Sequence, residues 1–232
     1  MGDSIAAASG QPYAGENYAI FGAGARPCDV RAVIEFFHAR SADFVAPILP
    51  LTPNDVVQEL EANGIVHRCT YTAMSLPLQA RGKCVKSRKK SDEFKEISAR
   101  RISNADAQRW GVFVWLAFGG SMCDEARSYS EYAAFLASHK KNDAFALEGD
   151  ARYLSTALIH KTKRTAGLYY FATLPEWRRH GFAARLMDAV TADEYADMPF
   201  VLLATEEGLP FYLAYSFDAL AKVPIYSSSD DI

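Results

Sequence analysis

The stretch LYYFATLPEWRRHGFAARLMDAV, Leu168 to Val190, constrains this 232-residue chain more than any other. A strand runs into Pro175, a tight basic loop Arg178-Arg179-His180-Gly181 follows, and a helix opens whose apolar positions Phe182, Leu186, Met187 and Val190 recur at helical spacing. Strand, loop and helix N-terminus in that order make backbone N–H groups converge, and the helix dipole adds about half a positive charge there. A diphosphate meets that demand. Gly181 admits phosphate oxygens to the backbone with no Cβ in the way, Ala183 is small for the same reason, and Arg178, Arg179 and Arg185 attract an anion at longer range. The competing reading is an ordinary strand-to-helix connection with surface arginines, since R-x-x-G-x-A arises by chance roughly once in four or five chains of this length.

The elements before this stretch fall into two lobes. Residues 1–16, small and polar, are expected to form a flexible arm. From 17 to 80, Asp29 caps a helix with Val30, Val33, Ile34 and Phe37 on its apolar face, Phe44 to Leu51 reads as a strand, Thr52-Pro53 opens a second helix that Gly64 ends, and a strand runs from Ile65 to Met74. Residues 81–96 form a charged linker, either a solvated connection or a basic docking patch. From 97 to 232 a strand near Ile97 is followed by a helix burying Trp110, Phe113 and Val114 and by another burying Tyr132, Phe135 and Leu136. Strands Phe145–Leu147, Tyr153–Ile159 and Leu168–Leu174 then make an antiparallel meander.

Charge and composition exclude several functions. A net charge of −3 and a pI near 6.0 give no general pull toward nucleic acid. No apolar run approaches the ~20 residues that span a bilayer, so a soluble, cytoplasmic protein without membrane partners is expected. Cys28, Cys69, Cys84 and Cys123 lie apart, with no C-x-x-C pair and no histidine at zinc-finger spacing. They read as reduced, mostly buried thiols, and no metal is expected.

The phosphate-loop stretch resembles the acetyl-CoA-binding motif of the GNAT superfamily of N-acetyltransferases, Q/R-x-x-G-x-G/A after a strand. Downstream, Phe200 to Ala204 reads as the next strand, and Thr205 to Phe217 is similar to the closing pattern of that family, with Tyr215 and Ser216 in place of its usual Leu and Gly. The first lobe is similar to a degenerate GNAT-like half. The resemblance implies an α/β (α+β) GNAT fold: a mixed, mostly antiparallel sheet flanked by helices, plus a smaller N-terminal lobe. It implies that main-chain groups of Phe171, Ala172 and Thr173 pair with the pantetheine arm of acetyl-CoA, and that the diphosphate sits on the loop and helix start formed by Arg178, Arg179, His180, Gly181, Phe182, Ala183 and Ala184. It implies too that Thr205 touches the cofactor and that Tyr212 protonates the leaving thiolate.

In direct transfer the acceptor must lose a proton first: an alkyl amine of pKa ~10.4 is neutral in about one molecule in 2,500 at pH 7, a cost near 4.6 kcal/mol. No base stands out. Glu148, Asp150, His160, Glu206 and Glu207 are all conceivable, and proton loss to water accounts for the step equally well. Tyr212 also reads as a core residue beside Phe211 and Phe217. Trp110, Trp115 and Tyr129 line either an acceptor pocket or the core, and helical spacing favours the core for the tryptophans. The expected activity is acetyl transfer to a primary amine, small-molecule or peptide. A silent acyl-CoA-binding or scaffolding protein is the alternative, and a nucleic-acid protein using Arg81 to Lys90 ranks third. The assembly state, a homodimer included, stays open.

Overall fold

A computed structural model describes residues 3–78, 94, 96–191, 195 and 197–230. The charged run 81–93 lies outside these residues, as does Cys84. The described residues contain ten strands and six helices, and the chain divides into two compact units. The first comprises Met1–Ala73, Leu203–Pro210 and Ala219–Ile232, the second Met74–Leu202 and Phe211–Asp218. The C-terminal strand β10 (Asp218–Ser227) pairs antiparallel with β3 (Val45–Pro47), Ile225 opposite Pro47, and so most of it joins the first unit.

In the first unit, β1 (Ser4–Ala7) and β2 (Tyr18–Phe21) are antiparallel, β2 meets β3 in parallel, and the order continues through β10 to β4 (Val66–Leu76). Ser4–Ala7 is thus a paired strand where a loose arm was expected. Its small residues carry little strand propensity, and the ladder with Tyr18–Phe21 orders them. Helix α1 (Pro27–His38) starts three residues earlier than a cap at Asp29 implies: Arg26 takes the cap position, Pro27 fills the first turn, and Asp29 accepts a hydrogen bond from the Arg26 N–H at 3.0 Å. Helix α2 (Asn54–Ala62) likewise begins after Pro53, because the Thr52 hydroxyl is engaged with Leu49 N and Phe21 O. Phe21, Val30, Val33, Phe37, Val56 and Leu60 form the core of this unit, with Phe37 stacked on Phe44 at 4.5 Å.

The second unit carries the antiparallel run β5 (Ile97–Arg101), β6 (Asn142–Gly149), β7 (Arg152–Lys161) and β8 (Ala166–Thr173), with β9 (Phe200–Ala204) parallel to β8. Helices α3 (Ala107–Ala117) and α4 (Asp124–Ala137) are antiparallel neighbours whose seam departs from the expected one. α3 buries Trp110, Phe113 and Val114 as read from sequence, but α4 buries Ala126, Tyr129, Ser130 and Ala133 and leaves Phe135 68% exposed. Close approach is the cause. The Ser130 carbonyl occupies the space where Gly111 lacks a Cβ, so Ala126, Ser130 and Ala133 are buried with Tyr129, whose ring packs on Trp115 of α3 at 5.2 Å, while Phe135 points outward.

Across the sheet Asp143, only 8% exposed, accepts from Lys161 Nζ and the Tyr195 hydroxyl at 2.7 Å each and from Arg101 at 2.8 Å. Burial opposes its ionisation, yet the three partners outweigh burial and hold the carboxyl below its ordinary range. Cys28 and Cys123 are exposed and Cys69 half-buried, all three free, which corrects the expectation of buried thiols. No described helix is long and apolar enough to cross a membrane.

Two stability outcomes are expected. Gly111→Ala lowers unfolding free energy in urea by about 1–2 kcal/mol, although Ala is the better helix former, because the added methyl overpacks the α3–α4 seam. Asp143→Asn costs about 1–2 kcal/mol at pH 7 by removing the buried carboxylate that Lys161, Tyr195 and Arg101 share. A depressed carboxyl stabilises the fold above the ordinary aspartate pKa of about 3.9, so the gap between variant and parent narrows as pH falls below that value.

Candidate functional site

Strand β8 has a different partner situation on each side. Toward β7 it is paired from Lys161↔Ala166 to Ser155↔Thr173, with a register shift between Thr156 and Leu158. Tyr170 lies at that shift with φ 48°, a left-handed conformation that an aromatic residue rarely adopts. Toward β9 the described pairing covers Ala166↔Phe200 and Gly167↔Val201. No pairing of β8 with β9 past Gly167 is described, while its pairing with β7 continues to Thr173.

The loop after β8 turns on a 3-10 turn, Pro175–Trp177. Arg178 is extended and its Nε donates to Thr173 O at 3.3 Å, which ties the loop back to the strand end. Arg179 has φ 68° and Gly181 φ 80°. Between them His180 Nδ1 lies 2.8 Å from Arg178 O, and its ring stacks on Phe182 at 5.7 Å. Trp177, Phe94 and Phe182 pack edge-on or tilted beneath, so an aromatic platform supports the loop.

Helix α5 (Phe182–Val190) begins at Gly181 with no side-chain cap, and its first recorded i to i−4 bond runs from Arg185 N to Gly181 O at 3.1 Å. The N–H groups of Phe182, Ala183 and Ala184 therefore have no acceptor inside the helix. Left-handed Gly181 followed by right-handed Phe182 is the backbone sequence of an anion nest. Nothing lies within 4 Å of where a Gly181 Cβ would be, so the concavity is open. Phe182, Leu186, Met187 and Val190 are buried, which anchors the helix by the face read from sequence.

Beside β8, Phe171 packs against Phe211 and Tyr212 of α6 (Leu209–Ala214), ring centroids 5.6 and 6.1 Å away. Tyr212 also meets Phe217 at 5.4 Å, so both of its expected neighbours are in contact. It is 8% exposed, and burial raises its phenol well above the ordinary value. The Tyr215 hydroxyl bonds Asp188 on α5, giving the departure from Leu at 215 a tethering job, and Ser216 takes a left-handed φ of 67° where glycine is usual. Thr205 accepts from Gly208 N at 3.1 Å in the turn before α6.

The residues considered as bases are mostly committed elsewhere. Glu148 pairs with Arg100 at 2.6 Å, and Asp150 forms the β6–β7 hairpin turn with φ 46°. His160 Nδ1 lies 2.6 Å from Asn142 Oδ1, while the Asn142 amide nitrogen donates to Leu136 O. That pins the amide, so His160 carries its proton on Nδ1 and keeps Nε2 as an acceptor. Burial, with Lys141 and His139 adding to it, lowers its pKa and favours the neutral ring. Trp110 and Tyr129 belong to the core. Tyr170, Trp177 and Phe94 are the structural residues that sequence missed, because no glycine or proline marks the bulge and ring clustering across loops has no local signature. No group of three or more metal-ligating side chains occurs among the described residues.

In sequence the chain matches no protein-family model and no curated protein. In structure it is similar to a functionally unknown conserved protein from Staphylococcus epidermidis, at TM-score 0.68 and 12% identity over 97% of this chain and 90% of that one. A GCN5-related N-acetyltransferase from Kribbella flavida aligns at TM-score 0.62 and 13% identity, over 91% and 80% of the two chains. A tandem GNAT protein from the clavulanic acid biosynthesis pathway aligns at TM-score 0.59 and 15% identity, over 85% and 68%. The chain has the fold of the GCN5-related N-acetyltransferases.

Proposed function

We propose that this chain transfers an acetyl group from acetyl-CoA to a primary amine by direct attack, both substrates being held together. The reading rests chiefly on one juxtaposition: an uncapped helix start, opened by left-handed Gly181 with free space at its Cβ position, follows a strand whose described pairing with β9 is confined to Ala166 and Gly167. The diphosphate fits the N–H groups of Gly181, Phe182, Ala183 and Ala184, with Arg179 adding charge. Charge-assisted hydrogen bonds of this kind contribute about 1.5–3 kcal/mol each. Arg178 holds the loop to Thr173 and leaves direct phosphate contact to its neighbours. The pantetheine amides fit the main-chain groups of Phe171, Ala172 and Thr173 that face away from β7, as an added strand would. Thr205 is assigned a supporting contact with the cofactor.

Acetyl-CoA supplies the activated carbonyl: the neutral amine nitrogen bonds to that carbon and gives up one proton to solvent, the C–S bond breaks and the sulfur leaves with the electron pair. Tyr212 stays protonated throughout neutral pH. A thiol of pKa ~8.5 is a stronger acid than a phenol raised above ~10, so full proton transfer from Tyr212 to sulfur is uphill. Its contribution is a hydrogen bond to the departing sulfur, with the proton arriving from solvent. Holding both reactants in register supplies the larger share, ~7–11 kcal/mol in well-oriented systems.

One observation favours the second reading, a CoA-binding protein without turnover: Glu148 is committed to Arg100 and no described carboxylate is assigned as base. Turnover separates the two. Isothermal titration with CoA is expected to give micromolar binding, and Gly181→Val, whose side chain both strains the left-handed turn and fills the nest, is expected to weaken it at least about tenfold. Tyr212→Phe is expected to lower kcat about 10- to 100-fold with CoA affinity held within about twofold. Because the phenol ionises above its ordinary pKa, the parent enzyme shows no falling limb from Tyr212 below about pH 10. Unchanged kcat in Tyr212→Phe removes the tyrosine from the mechanism.

A further inference from the structure

Near the end of β7, His160 lies between Asn142 of β6 and Gly167 of β8 in the ladder. Residues directly opposite in a ladder project to the same face with Cβ atoms about 4.5–5.5 Å apart, so the missing side chain at Gly167 leaves room beside the imidazole. Tyr169 uses that room. Its ring folds back over Gly167, with Cε2 2.6 Å and the hydroxyl 3.2 Å from where a Cβ would be. Tyr169 is itself paired with Leu158, which shares a face of β7 with His160. Imidazole and phenol are therefore neighbours on one side of the sheet, at the level where the described pairing of β8 with β9 ends.

The imidazole is arranged to accept a proton. Nδ1 donates to Asn142 Oδ1 at 2.6 Å, and the Asn142 amide is fixed in turn by donating to Leu136 O of α4 at 2.7 Å. A ring held at one nitrogen by an oriented third group keeps the lone pair of the other aimed, which is how a general base is positioned. Among the described residues no partner takes Nε2. Burial first, then Lys141 and His139 of the turn before β6, favour the neutral ring. Lys161, next along β7, turns to Asp143 on the opposite face, and the titratable group facing the ring from β8 is Tyr169. With a diphosphate at Gly181 to Ala184 and pantetheine along Thr173 to Phe171, the thioester end runs on toward Tyr169 and Gly167.

We infer that His160 is the proton acceptor of the reaction, reached through Tyr169. As the amine nitrogen bonds to the thioester carbon, one N–H proton passes to the Tyr169 hydroxyl, which gives its own proton to His160 Nε2, directly or through one water, and the ring then releases it to solvent. The phenol ends as it began, and His160 carries the proton out. This rests on the acetyltransferase reading and deepens it: Tyr212 serves the sulfur, while His160 and Tyr169 serve the nitrogen.

The test uses the full chain with acetyl-CoA and follows thiol release with 2-phenylethylamine, spermidine and a lysine-rich peptide as acceptors. His160→Gln is expected to lower kcat about 100-fold and Tyr169→Phe about tenfold, with CoA affinity by calorimetry held within about twofold in both. Added imidazole is expected to restore part of the rate in His160→Ala. Because only the neutral ring accepts, kcat of the parent falls with pH through a His160 pKa below the ordinary value of about 6.5, and His160→Gln loses that limb. A kcat within about threefold of the parent with the limb intact overturns the inference, as does turnover of none of these amines by a chain that binds acetyl-CoA. Nitrogen NMR of the histidine rings gives a reading without turnover: His160 is expected to carry its proton on Nδ1 and to shift as acetyl-CoA is added, and a proton on Nε2 overturns the inference alone. Absence of CoA binding in calorimetry instead removes the acetyltransferase reading and this inference with it.

Discussion

Strand β8 keeps one neighbour and loses the other. It stays in the ladder with β7 while its described pairing to β9 stops at Gly167, and the left-handed residue at Tyr170 is what reconciles the two. A bulge adds one residue to one strand, which bends it and re-aims its side chains. Here that re-aiming points Tyr170 at Trp110 and Phe118, exposes Tyr169, and leaves Phe171 to pack against α6. The strand then runs directly into the loop and the open start of α5. A bare strand edge and a bare helix start are ordinarily costly, since each carries unsatisfied backbone groups. On the proposed reading, one extended ligand, polar amides followed by a diphosphate, complements both.

The rest of the second unit keeps this arrangement stiff. The aromatic group Phe94, Trp177, His180 and Phe182 supports the loop from beneath, Arg178 ties it to Thr173, and Tyr215 ties α6 to α5 through Asp188. Behind it, the Gly111–Ser130 approach locks α3 to α4, and Asp143 gathers Arg101, Lys161 and Tyr195 from β5, β7 and the segment after α5. Strain at Tyr170, Arg179 and Ser216 persists because these surroundings over-determine it.

Much of the fold was readable because its signals are local. The apolar face of α5, the strand Phe200–Ala204 and the meander from β6 to β8 follow from periodicity and turn residues. What escaped depends on long-range partners. Phe135 points outward because Gly111 lets the backbone of α4 approach at Ser130, which sets Ala126, Tyr129 and Ala133 on the buried face in place of the expected residues. Ser4–Ala7 gains its strand from β2, and most of β10 joins the first unit through β3, two pairings with no trace in local composition. Of the candidate site, Gly181 was legible since a left-handed turn before a helix selects glycine, whereas the bulge at Tyr170 is written on an aromatic residue that does not advertise it.

The proposed activity requires that the backbone from Gly181 to Ala184 receive a diphosphate. Amide chemical shifts followed by NMR as CoA is added test this most directly. Large, saturable shifts at Gly181, Phe182, Ala183 and Ala184, together with Phe171 to Thr173, are the predicted result. Saturable binding that leaves those seven amides unmoved, or no binding of CoA at all, contradicts it.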